Sequence, residues 1–303
     1  MSVEITTAFV EKFGSELQIL AGQMDSRLEA TVMKQSDITG DTFWYDQIGH
    51  VEAQENTSRN SDTPITDVPF ARRRIDIRDY DVHELIDRKD MRKMLAGPVP
   101  KVATVLMGAM KRKLDGTILT SIFGTAYTDH TGGTAVTFPA AQQVAVNSWK
   151  YGAGTGNAGL TISKLIEAKT ILDLNQIVPY DESLNDIHLV CTAKQIANLL
   201  STTEATSADF AEVKALVKGE IDTFMGIKFH KLQPSLVPTD GSGYRRVAVY
   251  QKAGVCLAMQ EEINGDIGPR RDKRNSIQAS CFGSWGSARV EEERVVEIKC
   301  LES

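Results

Sequence analysis

Apolar residues recur through residues 3–34 at steps of three and four, at Ile5, Phe9, Phe13, Leu17, Leu20 and Met24. That period draws one stripe along a helix, so the segment reads as a helix or as an arm with helical pieces. Gly14 and Gly22 weaken it by roughly 1 kcal/mol each relative to Ala. A lone stripe needs cover, either from the chain's own core or from a neighbouring subunit. Thr42 to Ile48 is aromatic and β-branched and reads as a strand. Phe70 to Ile86 reads as a second long strand or a strand pair. Between them, Gly49 to Pro69 is polar and broken by Asn, Ser, Asp and two prolines. Loops beyond about 12–15 residues are uncommon in compact domains and are usually functional. A two-stranded ribbon is also marginal alone in water. The pattern therefore predicts a projecting hairpin that docks on another subunit.

The steadiest helical period is Val102, Leu106, Met110, Leu114, Ile118 and Ile122, within a helix expected over 99–123. Pro98 and Pro100 suit its start, and Gly124 is placed for a left-handed C-terminal cap. Residues 124–159 are rich in Gly, Thr and Ala and read as a connection carrying one or two short strands. Thr161 then caps a helix to about Asn175, with Leu160 and Leu165 as its hydrophobic staple. Ile187 to Cys191 reads as a buried strand and Thr192 as the cap of a helix ending near Leu200. Phe224 to His230 and Val247 to Gln251 are further strands, with Gly241-Ser242-Gly243 as a turn between them. Ser276 to Cys300 returns to strand. The fold class expected is α+β.

Composition changes this picture little. The chain has 303 residues, 24% charged and 42% hydrophobic, which fits a folded chain of one large or two closely joined domains. Apolar runs such as Val102 to Met110 fall far short of the roughly 18 residues needed to cross a bilayer, so no membrane partner is expected. Met1-Ser2-Val3-Glu4 lacks a secretory pattern, which makes the cytosol the expected compartment. Cys191, Cys256, Cys281 and Cys300 lie far apart without a CxxC pair and read as buried thiols.

Candidate chemistry is sparse. Gly154-Thr155-Gly156-Asn157-Ala158-Gly159 fits GxGxxG, but the next strand ends in Val190-Cys191-Thr192, where the dinucleotide fold needs a carboxylate. It reads as a pliable connection. His50, His83, His130, His188 and His230 form no HExxH pair and flank no nucleophile turn. No catalytic residue, cofactor or metal site is expected. Charge patterning is more informative. Residues 1–69 carry four basic and twelve acidic residues, whereas 70–113 carry twelve basic and six acidic. An acidic arm and loop lying on a basic surface of the next subunit would explain this. The contact candidates are Arg59, Asp62, Arg72, Arg73, Arg74, Arg270, Arg271 and Arg274. Neighbouring strand residues face opposite ways, so at least one of Arg72, Arg73 and Arg74 should meet an acidic group. Reversing all three is expected to block assembly and leave the subunit folded.

Several segments in this order carry a family resemblance: Ile5 to Val10, Asp62 to Pro69, Arg72-Arg73-Arg74 with Asp79-Tyr80-Asp81, Leu85-Ile86-Asp87, Gly124 to Tyr127, and Arg289-Val290 to Val296. Together they resemble the major capsid proteins of tailed, double-stranded DNA bacteriophages. The resemblance implies the Hong Kong 97-type capsid fold, with an N-terminal arm at 1–41 and an extended loop at 42–86. It further implies a peripheral domain with a spine helix at 87–139, an axial domain at 140–265, and return strands at 266–303. Copies of the chain would form hexamers and pentamers of an icosahedral shell. Other partners implied are a separate scaffolding protein, a portal, a decoration protein and packaged DNA held by weak non-specific contact. The rival readings are an encapsulin-like shell of the same fold and a nucleotide-dependent enzyme using Gly154 to Gly159.

Overall fold

The computed structural model of the chain describes residues 22–49, 51–53, 55, 65–93, 99–129, 131–152, 154–175, 186–201 and 223–302. The chain first forms β1 (Met33–Gln35), β2 (Thr42–Ile48), β3 (Phe70–Asp76) and β4 (Arg78–Ile86). Then come α1 (Arg88–Lys93), α2 (Val99–Phe123), β5 (Ala126–Thr128), β6 (Thr134–Val136) and β7 (Gln143–Val144). The middle holds α3 (Ile162–Leu174), β8 (Ile187–Cys191), α4 (Ala193–Ser201), β9 (Thr223–Phe224) and β10 (Ile227–Lys231). β11 (Arg245–Gln251), β12 (Val255–Arg270), β13 (Ser276–Arg289) and β14 (Val295–Cys300) close it.

Three sheets result among the described residues. One runs β1-β12-β13-β4, one β2-β3-β5-β6, and the largest β7-β14-β11-β8-β10-β9. The 25 residues of α2 make a rod about 37 Å long. Its apolar stripe buries Met110, Leu114, Ile118 and Ile122 against Leu257, Met259, Cys281 and Trp285 of β12 and β13. Trp285 is fully covered and stacks on Tyr80 with ring centroids 4.6 Å apart. The six-stranded sheet has its own core, where Leu165, Leu172, Ile196 and Leu199 from α3 and α4 meet Val247, Val249, Val296 and Ile298. Thr161 caps α3 by accepting from the Lys164 amide, and Leu160 and Leu165 are both buried, as the spacing predicts. The four cysteines are free and buried. Burial pushes the thiols of Cys191, Cys256 and Cys300 up to about 12.

Several expectations need correction. Within 22–34, Glu29–Thr31 is a single 3-10 turn and β1 follows it, pairing in parallel with β12. Residues 3–21 of the expected helix lie outside the described residues. Gly124 does not take the left-handed cap conformation, and a Cβ there would lie 2.8 Å from the carbonyl oxygen of Thr120. Arg289 closes that helix end instead, donating to the carbonyls of Ile122 at 2.8 Å and Gly124 at 2.9 Å. Phe224 to His230 is a hairpin rather than one strand, turned by Met225 at φ 55° and Gly226 at φ 78°. The expected division at 265/266 falls inside β12, which is continuous from Val255 to Arg270. β14 joins the six-stranded sheet, between β7 and β11, rather than returning with β13.

Candidate functional site: the hairpin and its seat

β2 and β3 pair from Thr42 opposite Asp76 out to Ile48 opposite Phe70. Strand alternation divides the side chains into two faces. Phe43, Tyr45, Gln47, Arg73 and Ile75 share the inner face. Phe43, Tyr45 and Ile75 pack there with Met33, Ala288 and Val290 in a small core. Trp44, Asp46, Ile48, Phe70, Arg72 and Arg74 share the outer face. Only Arg73 and Arg74 of β3 pair with β5, so beyond Arg72 the ribbon runs on as two strands. At its far end Ile48 is 71% exposed, Phe70 77% and Ile65 89%.

The three consecutive arginines have three fates. Arg72 is paired with Asp46 at 2.9 Å and lies over the Trp44 ring, with both charges well exposed. Arg74 lies over Tyr127 and pairs with Asp76 at 3.0 Å. Arg73 is 8% exposed; its Nε donates to the Val290 carbonyl at 2.9 Å and its Nη2 to Glu292 at 2.6 Å. Each arginine thus finds an acidic group within its own chain. Reversing all three would put a buried carboxylate in place of the Arg73 cation beside Glu292, which argues against the expectation that the subunit stays folded.

Arg270 is held by Asp272 at the turn between β12 and β13, and Arg271, Lys273 and Arg274 are exposed there. Arg274 and Asn275 both take left-handed backbone, at φ 54° and 56°. Ile86 pairs with Ile277, so the exposed Arg88 and Lys89 leave the sheet at the same end. Those two were not among the sequence candidates. From Ser276 to Arg289 is thirteen steps of strand, so this basic end and the hairpin base lie about 40 Å apart. Arg59 and Asp62 lie outside the described residues, as do His50 and His130.

Two buried polar clusters escaped the sequence reading. Arg289 is fully buried; besides the end of α2 it reaches the Val136 carbonyl at 3.2 Å and Glu292 at 3.4 Å. Burial pulls its pKa below the usual arginine value, with the Glu292 charge acting against that. Asp115, fully buried on α2, accepts from Ser26 Oγ at 2.6 Å and from the amides of Arg27 and Leu28 at 3.2 Å. It clamps residues 23–28 to the rod, and burial pushes its carboxyl above the ordinary range.

The glycine motif is packed against its own surroundings rather than slack. A Cβ on Gly154 would strike the Trp149 ring and one on Gly159 would strike Asn198. Trp149 also donates to the Gly156 carbonyl at 2.9 Å. The fully buried Lys164 closes the segment, with its ammonium on the carbonyls of Ala158, Gly159 and Lys299. His188 is buried and its Nδ1 lies 3.0 Å from Nε2 of His230. Among the described residues no cluster of His, Cys, Asp or Glu is placed to hold a metal, and no helix is long and apolar enough to cross a membrane.

Over residues 5–302 the sequence matches a family described as phage capsid protein. No curated protein matches it. Among solved structures, the capsid of Ralstonia phage GP4 is similar at 12% identity and TM-score 0.72, covering 97% of this chain and 95% of that one. The capsid of cyanophage P-SCSP1u is similar at 14% identity and TM-score 0.71, covering 98% and 94%. A chain of Mycobacterium phage Bobi is similar at 13% identity and TM-score 0.63, covering 99% and 98%.

Proposed function

The chain belongs to the phage capsid protein family, and from that premise we infer that it is the major capsid protein that builds a phage head. Its fold is the Hong Kong 97-type capsid fold. Matching the phage capsid family does not favour the encapsulin-like reading, and the packing of Gly154 and Gly159 leaves little room for the nucleotide one. The observation that carries assembly is the hairpin end, where Ile48, Phe70 and Ile65 stand 71%, 77% and 89% exposed on a two-stranded stalk. Fully covering each such side chain stabilises by about 1.5–3 kcal/mol. One hairpin contact is modest. A closed shell breaks none singly, so many modest contacts act together.

The shell is built of hexamers and pentamers, and the hairpin is the extended loop that reaches the next copy. The sheet packed on α2 serves as the peripheral domain, and the six-stranded sheet with α3 and α4 as the axial domain. Arg72 and Arg74 on the outer face and Arg271 and Arg274 at the sheet end are the cations that meet acidic neighbours. Arg59 joins these cations, and Asp62 is an acidic partner for a cation of a neighbouring copy. Assembly takes place in the host cytoplasm with a separate scaffolding protein, and the finished head adds a portal and a decoration protein. Packaged DNA touches the wall weakly, in keeping with a net charge of −6.

Electron microscopy and sedimentation of the purified chain test this reading. The expected products are pentamers, hexamers, sheets, tubes or shells, lost in a Phe70→Asp, Ile48→Asp variant that keeps its circular dichroism. A wild-type chain that stays monomeric at high concentration, with scaffold supplied, would refute it.

A further inference from the structure

We propose that Glu292 is the positioning residue that sets the angle at which the β2–β3 hairpin leaves the body, and thereby the spacing of neighbouring copies in the shell. The proposal rests on the capsid reading and adds a specific determinant to it. Glu292 opens the short 3-10 turn between β13 and β14, where the chain passes from the sheet on α2 to the six-stranded sheet. Its two oxygens face two buried arginines: Arg73 of the hairpin at 2.6 Å and Arg289 of β13 at 3.4 Å. Arg289 in turn holds the end of α2 through Ile122 and Gly124, and β6 through Val136. One carboxylate therefore joins the hairpin to the elbow between sheets and to the end of the long rod.

Other attachments hold the base of the hairpin without reaching the elbow between the sheets: Thr128 Oγ1 donates to the Arg72 carbonyl at 2.9 Å and Arg74 Nη1 to the Gly132 carbonyl at 3.2 Å. The hairpin's ladder to β5 covers two residues, Arg73 and Arg74. Gln47 Nε2 adds a bond to the Val290 carbonyl at 3.0 Å, the oxygen that Arg73 Nε also uses. The inner face rests on a small core of Met33, Ile75, Ala288 and Val290. Arg73 and Glu292 have side chains only 10% and 17% exposed, so water screens their pairing little. By contrast the outer pair of Arg72 and Asp46 is 40% and 67% exposed and can re-form in many geometries.

The lever makes the angle matter. Phe70 lies three residues beyond Arg73, about 10 Å along the strand, so a tilt of about 10° at the base moves it by about 2 Å. A gap of about 0.5–1 Å already forfeits a quarter to a half of a van der Waals contact. The neighbour must follow the tip or lose it.

The test compares Glu292→Asp with wild type and with Glu293→Asp, whose side chain is exposed on the same turn. Aspartate keeps the charge but is one methylene shorter, so it reaches one arginine and not both. Circular dichroism and the urea midpoint report folding, and micrographs of purified particles report diameter. The expected result is a folded Glu292→Asp subunit whose particles shift in diameter or open into tubes and sheets, while Glu293→Asp matches wild type. Gln47→Met, which removes the second clasp on Val290 without touching either arginine, should shift diameter the same way. It decides the matter if Glu292→Asp does not fold. Wild-type diameters from the folded variants would overturn the proposal and leave the capsid reading standing. No assembly by the wild-type chain would overturn both.

Discussion

Arg72 and Arg73 are adjacent, identical and both paired with a carboxylate, yet reversing them should have very different costs. Arg72 meets Asp46 with side chains 40% and 67% exposed. Exposed pairs of this kind are worth about 0–1 kcal/mol, and a new carboxylate there can turn into solvent. Arg72→Glu should therefore cost no more than about 1 kcal/mol. Arg73 is 8% exposed and spends its guanidinium on the Val290 carbonyl and Glu292. Breaking a buried pair by removing one partner typically costs about 3–5 kcal/mol. Arg73→Met belongs near the lower bound, because Nη1 is buried without a partner and its loss relieves that penalty. Arg73→Glu belongs above it, since two carboxylates would then share one site. With a urea slope of about 3 kcal/mol/M, a loss of about 3 kcal/mol lowers the midpoint by about 1 M. The assay is urea unfolding of the unassembled chain, followed by tryptophan fluorescence. An Arg73→Met midpoint matching that of Arg72→Glu would refute the assignment of Arg73 to the interior.

Other outcomes follow from the same geometry. His188 has its pKa lowered to about 4 by burial and by His230, from 6.5. The sign is that of a depressed group: its contribution is complete above pH 6.5 and is lost as pH falls through about 4. Wild type should therefore lose about 3 kcal/mol more than His188→Gln between pH 7 and pH 4, and parallel pH profiles in urea would contradict it. Gly286→Ala drives a Cβ into the Asp76 carbonyl and should cost about 1–3 kcal/mol, read as a lower midpoint. Free subunits should bind DNA weakly and without sequence preference, with dissociation constants of roughly 10⁻⁴–10⁻⁶ M at physiological salt. Nanomolar filter binding would overturn the passive wall.

Periodic elements were legible because one physical rule governs each of them. α2 shows its bounds through an unbroken apolar stripe between proline and glycine, and β2 and β3 through β-branched and aromatic residues around a polar insertion. β12 was missed for an equally physical reason. From Gln260 to Arg270 most of its side chains are exposed, so no alternation of apolar and polar residues marks it. Register breaks between Met259 and Asn264 disturb the period further. What identifies it as a strand is pairing with β13, a contact between segments that neither one records alone. β1 is three residues long and owes its existence to the opposite edge of β12.

Charged residues show where such reading ends, since a charge in the sequence does not say whether water or protein will surround it. The same doublet of arginine and carboxylate occurs as an exposed pair at Arg72 and Asp46 and as a buried one at Arg73 and Glu292. Glu291-Glu292-Glu293-Arg294 looks like a solvated turn, and Glu293 is indeed exposed, while Glu292 points inward between two arginines. Asp115 has the same ambiguity within α2, where buried Ile118 and Leu119 one turn on show that this side of the rod is covered. Its neighbours on the helix mark it as a buried acid in need of donors, and residues 23–28 supply them. The distinction has consequences for assembly. A shell subunit must keep some charges for its neighbours and commit others to its own frame. Arg73, Asp115, Arg289 and Glu292 are committed to the frame, whereas Ile48, Phe70, Arg271 and Arg274 stay exposed to solvent.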